Sequence, residues 1–250
     1  MNKNNITSKD YWEHYYKKSD TDKQKIIDVC SVYNDYFNLF FNRSESGGNK
    51  ILEIGGYPGR YLAYLASKYN LIPSSVDFNK DKKTIENCFK NFGINQYKIY
   101  SNDINNFDTK TKYDLVFSNG FVEHFLDFDL KLDQHACLCK KEGTIMVMIP
   151  NKTHFRRYYG YLCDYENLKK HNLKSMRLKV FKDFAKRNEL EIISLDYFGG
   201  FPFSVHQDLN FFQDFIYQTT RIIFKYYLNP FIEKNPNKYF SSLIIGIFKK

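Results

Sequence analysis

Arginine is scarce in this chain, 7 residues against 30 lysines among 250. Nucleic-acid sites lean on arginine forks that grip phosphates and base edges, so a nucleic-acid partner is disfavoured. No apolar run reaches about 18 residues, which excludes a membrane-spanning helix. The first ten residues, MNKNNITSKD, contain no apolar core of a secretory signal. Cysteine is sparse and odd in number: Cys30, Cys88, Cys137, Cys139 and Cys163. Only Cys137 and Cys139 are close, and no second pair or histidine cluster completes a zinc site. Reduced thiols in the cytoplasm are expected, and no metal. No lysine follows the one glycine-rich turn, GGYPG at 55–59, so a Walker-type phosphate loop is excluded. Glycines at 55, 56 and 59 do not make GxGxxG either, so a pyrophosphate dinucleotide fits poorly.

What is present is alternation. ILEI (51–54), YDLVF (113–117) and GTIMVMIP (143–150) are apolar runs bounded by turn residues, the mark of buried strands. IPSSVDF (72–78) and QYKIYSND (96–103) resemble them more weakly. Helical spacing lies between: Tyr61, Leu62, Leu65 and Ala66; then Ile85, Cys88, Phe89 and Phe92; then a helix over 122–139 that Gly143 is expected to stop. Further on, 175–188 reads as a helix, and 190–198 and 239–250 as strands. Strands alternating with helices predict an α/β fold with a parallel sheet and helices on both faces. One domain over 1–250 is expected: an N-terminal helical arm (1–48), a core (49–150) and a second half (151–250) with an insertion at 201–238.

Open parallel sheets bind ligands at the carboxyl ends of their strands. The first strand is followed by Glu53, Gly55, Gly56 and Gly59, the second by Asp77 and Phe78, and the third by Asp103 and Ile104. The fourth leads to Asn119 and then Glu123 and His124, and the fifth to Pro150 and Asn151. An acid ending the second strand can accept from both ribose hydroxyls, and an aromatic beside it can cover a purine. Asp77 and Asp103 could also be helix caps. The set points to a nucleoside with a phosphate-free tail.

The motifs LEIGGYPGRYLAYLA, SVDFN, SNDINNF and YDLVFSNGFVEHFLD, in this order and spacing over roughly 50–200, resemble the class I S-adenosylmethionine-dependent methyltransferases. The resemblance implies a Rossmann-like, seven-stranded, mostly parallel sheet. It implies that Glu53, Gly55 and Gly59 hold the methionine end of the cofactor, with Asn119 flanking it. Asp77 would bind the ribose, Phe78 would lie near the adenine, and Asp103 and Ile104 would contact it. Tyr57 stands where the family has its middle glycine, so Gly56 is expected to take the backbone role. Tyr11 and Trp12 resemble an arm helix that closes over the cofactor.

Charge separates the acceptor half from the rest: residues 1–150 balance at +1 and 151–250 at +8. In HFRRYYGY (154–161), Arg156, Arg157 and Tyr158 are expected to bind an anionic acceptor. His124 and His154 are candidate bases, since a sugar hydroxyl keeps its proton at neutral pH. The expected reaction is O-methylation of a sugar hydroxyl on a phosphate-bearing glycan precursor, in surface polysaccharide biosynthesis. A nucleic-acid methyltransferase and a non-catalytic binding protein of the same fold are the alternatives. Residues 208–234 place Phe212, Phe215, Ile216, Ile222 and Tyr226 on one helical face that Pro230 would end. That face would cover the sheet, pair two subunits, or rest on an anionic membrane.

Overall fold

The computed structural model describes residues 5–8, 11–12, 15–16, 21–42 and 49–250; part of the expected arm therefore lies outside the described residues. Seven strands form one sheet: β1 (Lys50–Ile54), β2 (Ile72–Asp77), β3 (Lys98–Ser101), β4 (Tyr113–Asn119), β5 (Cys139–Pro150), β6 (Glu191–Phe198) and β7 (Leu243–Lys249). Their order is β3-β2-β1-β4-β5-β7-β6. The first five run parallel, and β7 is antiparallel to both β5 and β6. This is the mostly parallel, seven-stranded Rossmann-like sheet that the motifs imply. Strand order reverses between β1 and β4, and there the carboxyl ends open a crevice.

Helices cover both faces. On one side lie α1 (Lys23–Ser31), α2 (Asn34–Asn42), α3 (Arg60–Tyr69) and α4 (Lys82–Asn91). Their buried faces (Ile26, Phe37, Leu62, Ile85, Phe89) meet Ile51, Leu115 and Phe117 of the sheet. On the other, α5 (Phe128–Leu138) and α8 (Leu178–Arg187) bring Leu132, Ala136, Phe181 and Phe184 onto Leu52, Val116 and Val147. Helix starts follow local chemistry. Asp22 accepts from the Lys25 amide at 2.9 Å and Asp81 from the Thr84 amide at 3.4 Å, each filling an orphan donor of a first turn.

Two local expectations fail. Gly143 does not stop a helix: α5 ends at Leu138 and β5 begins at Cys139, with Gly143 inside the strand. A side chain there would come within 2.6 Å of the Cys139 Sγ and 2.9 Å of the Asp114 carbonyl, so the glycine permits a bulge beside β4. Pro230 does not end the late helix either. Helix α9 (Phe211–Ile223) passes through a π turn at Phe224–Leu228 into α10 (Asn229–Lys234), and Pro230 sits in the first turn of α10. Before them come α6 (His154–Cys163) and the short α7 (Tyr165–Leu168). The late segment packs a satellite cluster of Tyr159, Phe201, Phe224 and Ile232 and lies beside the sheet's carboxyl edge.

Candidate active site

Two cavities meet at the carboxyl edge. The first lies over β1, β2 and β3 and is lined by Gly55, Asp77, Phe78, Asp103 and Ile104, closed by Trp12 and Phe121. The turn that floors it has a physical logic. Gly55 takes φ +70° and Gly59, which caps α3, takes φ +91°, both left-handed. A Cβ at Gly55 would lie 2.6 Å from the Phe121 ring. Tyr57 escapes the left-handed region, and its amide donates to Asp77 at 3.3 Å while its hydroxyl donates to Asp81 at 2.9 Å.

Glu53 and Gly56 do not face the cavity. Glu53 is buried beneath the turn, where it accepts from the Leu62 amide, and burial together with Asp77 pushes its carboxyl well above the usual range. A Cβ at Gly56 would meet Ser75 Oγ at 2.6 Å and Glu53 at 3.1 Å, so this glycine permits close packing of the turn on β2. Gly59 likewise packs on Ile85. These three shape the turn; Gly55 alone of the four residues presents itself to the cavity. Asp77 accepts from the Asn79 amide at 2.8 Å, and burial raises its pKa. Asp103 both caps a 3-10 turn, accepting from the Asn105 amide at 3.0 Å, and lines the cavity, so capping does not take it away from the cavity.

The second cavity, about 360 Å³, lies beyond β4 and β5. Gly120 and His124 line both cavities, whereas Asn119, expected beside the methionine end of the cofactor, lines only the second. His124 is buried, its Nδ1 against the Lys170 carbonyl at 2.9 Å; because a carbonyl only accepts, Nδ1 carries the proton and Nε2 the lone pair. Burial pulls its pKa down to about 4. Trp12 meets it edge-on at 4.7 Å.

The other acceptor-side candidates separate. His154 is exposed, packs against Tyr239 with ring centroids 5.0 Å apart, and lies outside both cavities. Arg157 stands on the surface with Tyr161, and Tyr158 is 69% exposed; neither lines a cavity. Helix α6 turns this side outward. Arg156 does face the second cavity, but its guanidinium donates to the Asn151 and Ser242 carbonyls, tying β5 to the start of β7. The cation it leaves to a ligand is Lys152, which the sequence reading missed. Among the described residues the Lys152 ammonium has no hydrogen-bond partner, and burial and Arg156 lower its pKa to about 8. Asp164, His171 and His206 line the same space. Burial would raise Asp164, but hydrogen bonds from His206 and Asn167 outweigh it and hold the carboxyl below its ordinary value. Their signal was faint: Lys152 follows the fifth strand in PNK, but the histidines come from loops that pair with nothing in sequence.

Comparison with known proteins agrees with this architecture. Pavine N-methyltransferase of Thalictrum flavum subsp. glaucum is 23% identical over 143 residues, 56% of this chain and 38% of that protein. (S)-Coclaurine N-methyltransferase of Papaver somniferum is 23% identical over 133 residues, 51% of this chain and 36% of its own. The matched part thus spans well under half the length of either relative. A SAM-dependent methyltransferase from Archaeoglobus fulgidus superposes with a TM-score of 0.58 at 19% identity, covering 96% of this chain and 100% of the other. Magnesium protoporphyrin IX methyltransferase from Synechocystis, solved with bound SAH, gives 0.58 at 12% identity, covering 95% and 93%. Residues 25–195, more than half of the chain, match the family model described as methyltransferase domain, and the chain belongs to that family, the class I S-adenosylmethionine-dependent methyltransferases.

Proposed function

We propose that this protein transfers a methyl group from S-adenosylmethionine to a hydroxyl oxygen of a small polar acceptor, a sugar on a phosphate-bearing glycan precursor. The first cavity fits the cofactor by its donor set: a carboxylate (Asp77) for the ribose, Phe78, Asp103 and Ile104 for the adenine, and the side-chain-free Gly55, with Asn119 beyond it, for the methionine end. The bound cofactor supplies an electrophilic methyl carbon on a sulfonium, so the protein's task is alignment of the acceptor. The observation that carries the acceptor reading is the polarity of the second cavity. Lys152, Asp164, His171 and His206 line it where a purely apolar acceptor would need aliphatic walls. Lys152 takes over the anion-binding role expected of Arg156 and Arg157. His124, at the junction of the cavities, is where an acceptor hydroxyl would lose its proton.

The reading extends to a peripheral membrane contact. Phe211 is 92% exposed, and Phe212, Phe215, Ile222, Tyr226 and Tyr227 are also exposed, with Arg221 and Lys225 on the same helical segment. An anionic bilayer carrying a lipid-linked acceptor would cover this face next to the cavity. Among the described residues no helix is long and apolar enough to cross a membrane. A cytoplasmic location agrees with five unpaired cysteines. Vesicles with and without anionic lipid test the contact by co-sedimentation; a dimer that buries Phe212 and Phe215 would replace it. The reaction is tested by incubating the protein with methyl-labelled S-adenosylmethionine and panels of nucleotide sugars, polyprenyl-phosphate sugars and amines. Label on a sugar oxygen is expected. Label on amine nitrogen alone would overturn the acceptor class.

A further inference from the structure

The sequence offers no metal-ligand cluster, but the fold assembles one. Glu123 and His124 follow β4, and His171 arrives from the loop after α7; one ligand atom from each lies within 4.8 Å of the others. Each residue is prepared for ligation. Glu123 is 1% exposed, and its Oε2 has no hydrogen-bond partner. His124 Nδ1 is fixed by the Lys170 carbonyl at 2.9 Å, and His171 Nδ1 by the Asn167 carbonyl at 2.7 Å. Both imidazoles must therefore carry the proton on Nδ1 and present the Nε2 lone pair, the arrangement by which backbone carbonyls orient metal-bound histidines. All three side chains line the second cavity, so a cation held by them would keep positions open toward an acceptor.

We propose that Glu123, His124 and His171 form a binding site for a first-row divalent transition ion. Two nitrogens and one carboxylate with open positions suit Mn²⁺, Fe²⁺, Co²⁺ or Zn²⁺ rather than Ca²⁺, which prefers oxygen. Ligand atoms around such an ion lie about 3–3.4 Å apart, from metal–ligand bonds of about 2.1 Å. Closing from 4.8 Å requires side-chain shifts of about 1 Å. Lys152 faces the same cavity and its charge opposes the cation; Glu123, whose carboxyl burial pushes up to about 8, offsets it once it gives up its proton to bind the ion.

The role in transfer rests on the O-methylation proposed above; cation binding does not. Because the His124 Nε2 lone pair is then spent on the ion, an acceptor hydroxyl bound there would lose its proton to water in the open cavity rather than to His124. The oxygen lone pair would then form the bond to the methyl carbon, and the electron pair of the broken carbon–sulfur bond would stay on sulfur.

The test uses the whole chain, dialysed against chelator and titrated with Co²⁺, followed by visible absorption and calorimetry. One ion per chain with a micromolar or tighter Kd is expected. Glu123→Gln and His171→Gln should each weaken binding at least tenfold while circular dichroism and binding of S-adenosylhomocysteine stay near wild type. His154→Gln, outside both cavities, should bind as wild type. Less than one-tenth of an ion per chain, or binding that survives both Glu123→Gln and His171→Gln, overturns the site. If a variant fails to fold, the wild type still decides: a bound Co²⁺ should raise its Tm, and no shift at saturating ion counts against the site. Cation binding together with label on amine nitrogen would sink the hydroxyl-acceptor reading and leave the site standing.

Discussion

Replacing Asp77 by alanine separates the cofactor reading from a merely structural one. Its carboxylate has two duties. Toward the protein, it accepts from the Asn79 amide at 2.8 Å and the Tyr57 amide at 3.3 Å, which pins the glycine turn to the end of β2. Toward the cavity, it is the group that would accept from the ribose hydroxyls. Hydrogen bonds to a charged group contribute about 1.5–3 kcal/mol. The alanine variant should therefore weaken binding of S-adenosylhomocysteine by about 10- to 150-fold, from a micromolar starting point of about −8 kcal/mol. The two amides lose a partner that water can partly replace, so stability should fall by about 1–2 kcal/mol, a few degrees in Tm. Asp77→Asn keeps one acceptor oxygen and should lie between. Calorimetry gives Kd and a thermal scan gives Tm on the same samples. A folded alanine variant whose Kd stays within threefold of wild type would refute the assignment of this cavity to the ribose.

Gly55→Val should abolish cofactor binding in a chain that still folds, because φ +70° resists a β-branched residue and its Cβ would strike Phe121; calorimetry with wild-type affinity would contradict it. His135 is buried, Nε2 against Ser118 at 2.8 Å and Nδ1 against the Lys131 carbonyl at 2.7 Å, and burial holds its pKa at about 4. Its folded pKa lies below the unfolded value near 6.5, so the stability it protects is complete above pH 6.5 and is lost as pH falls toward 4. Between pH 7.5 and 5 this histidine should account for about 2 kcal/mol of lost stability; urea unfolding of His135→Gln should show a pH dependence shallower by that amount. Arg156→Ala should cost about 3 kcal/mol of stability through two carbonyl partners, Asn151 and Ser242, whereas the exposed Arg157→Ala should leave Tm unchanged; equal Tm losses would show that the tie between β5 and β7 is unimportant.

Much of the lining of the first cavity was legible in the sequence because it is local. A buried strand must be apolar, and a residue that ends a parallel strand must stand at the sheet's carboxyl edge; the positions of Asp77, Phe78, Asp103 and Ile104 follow from those two facts. The first glycine of the turn was readable for the same reason. What the other two glycines do was not. Gly56 answers to Ser75, and Gly59 to Ile85, partners from β2 and α4 that only packing brings near. The second cavity depended on tertiary structure almost entirely. Arg156, Arg157 and Tyr158 look alike as neighbours in sequence, but consecutive residues of a helix point about 100° apart, and only the seating of α6 turned Arg156 inward and its neighbours out. His171 joins Glu123 and His124 across 46 intervening residues. Two ordinary motifs became one cluster because the Lys170 carbonyl, on the loop after α7, fixes the His124 imidazole, a contact between distant segments that no spacing in the chain records, while the Asn167 carbonyl within α7 fixes His171.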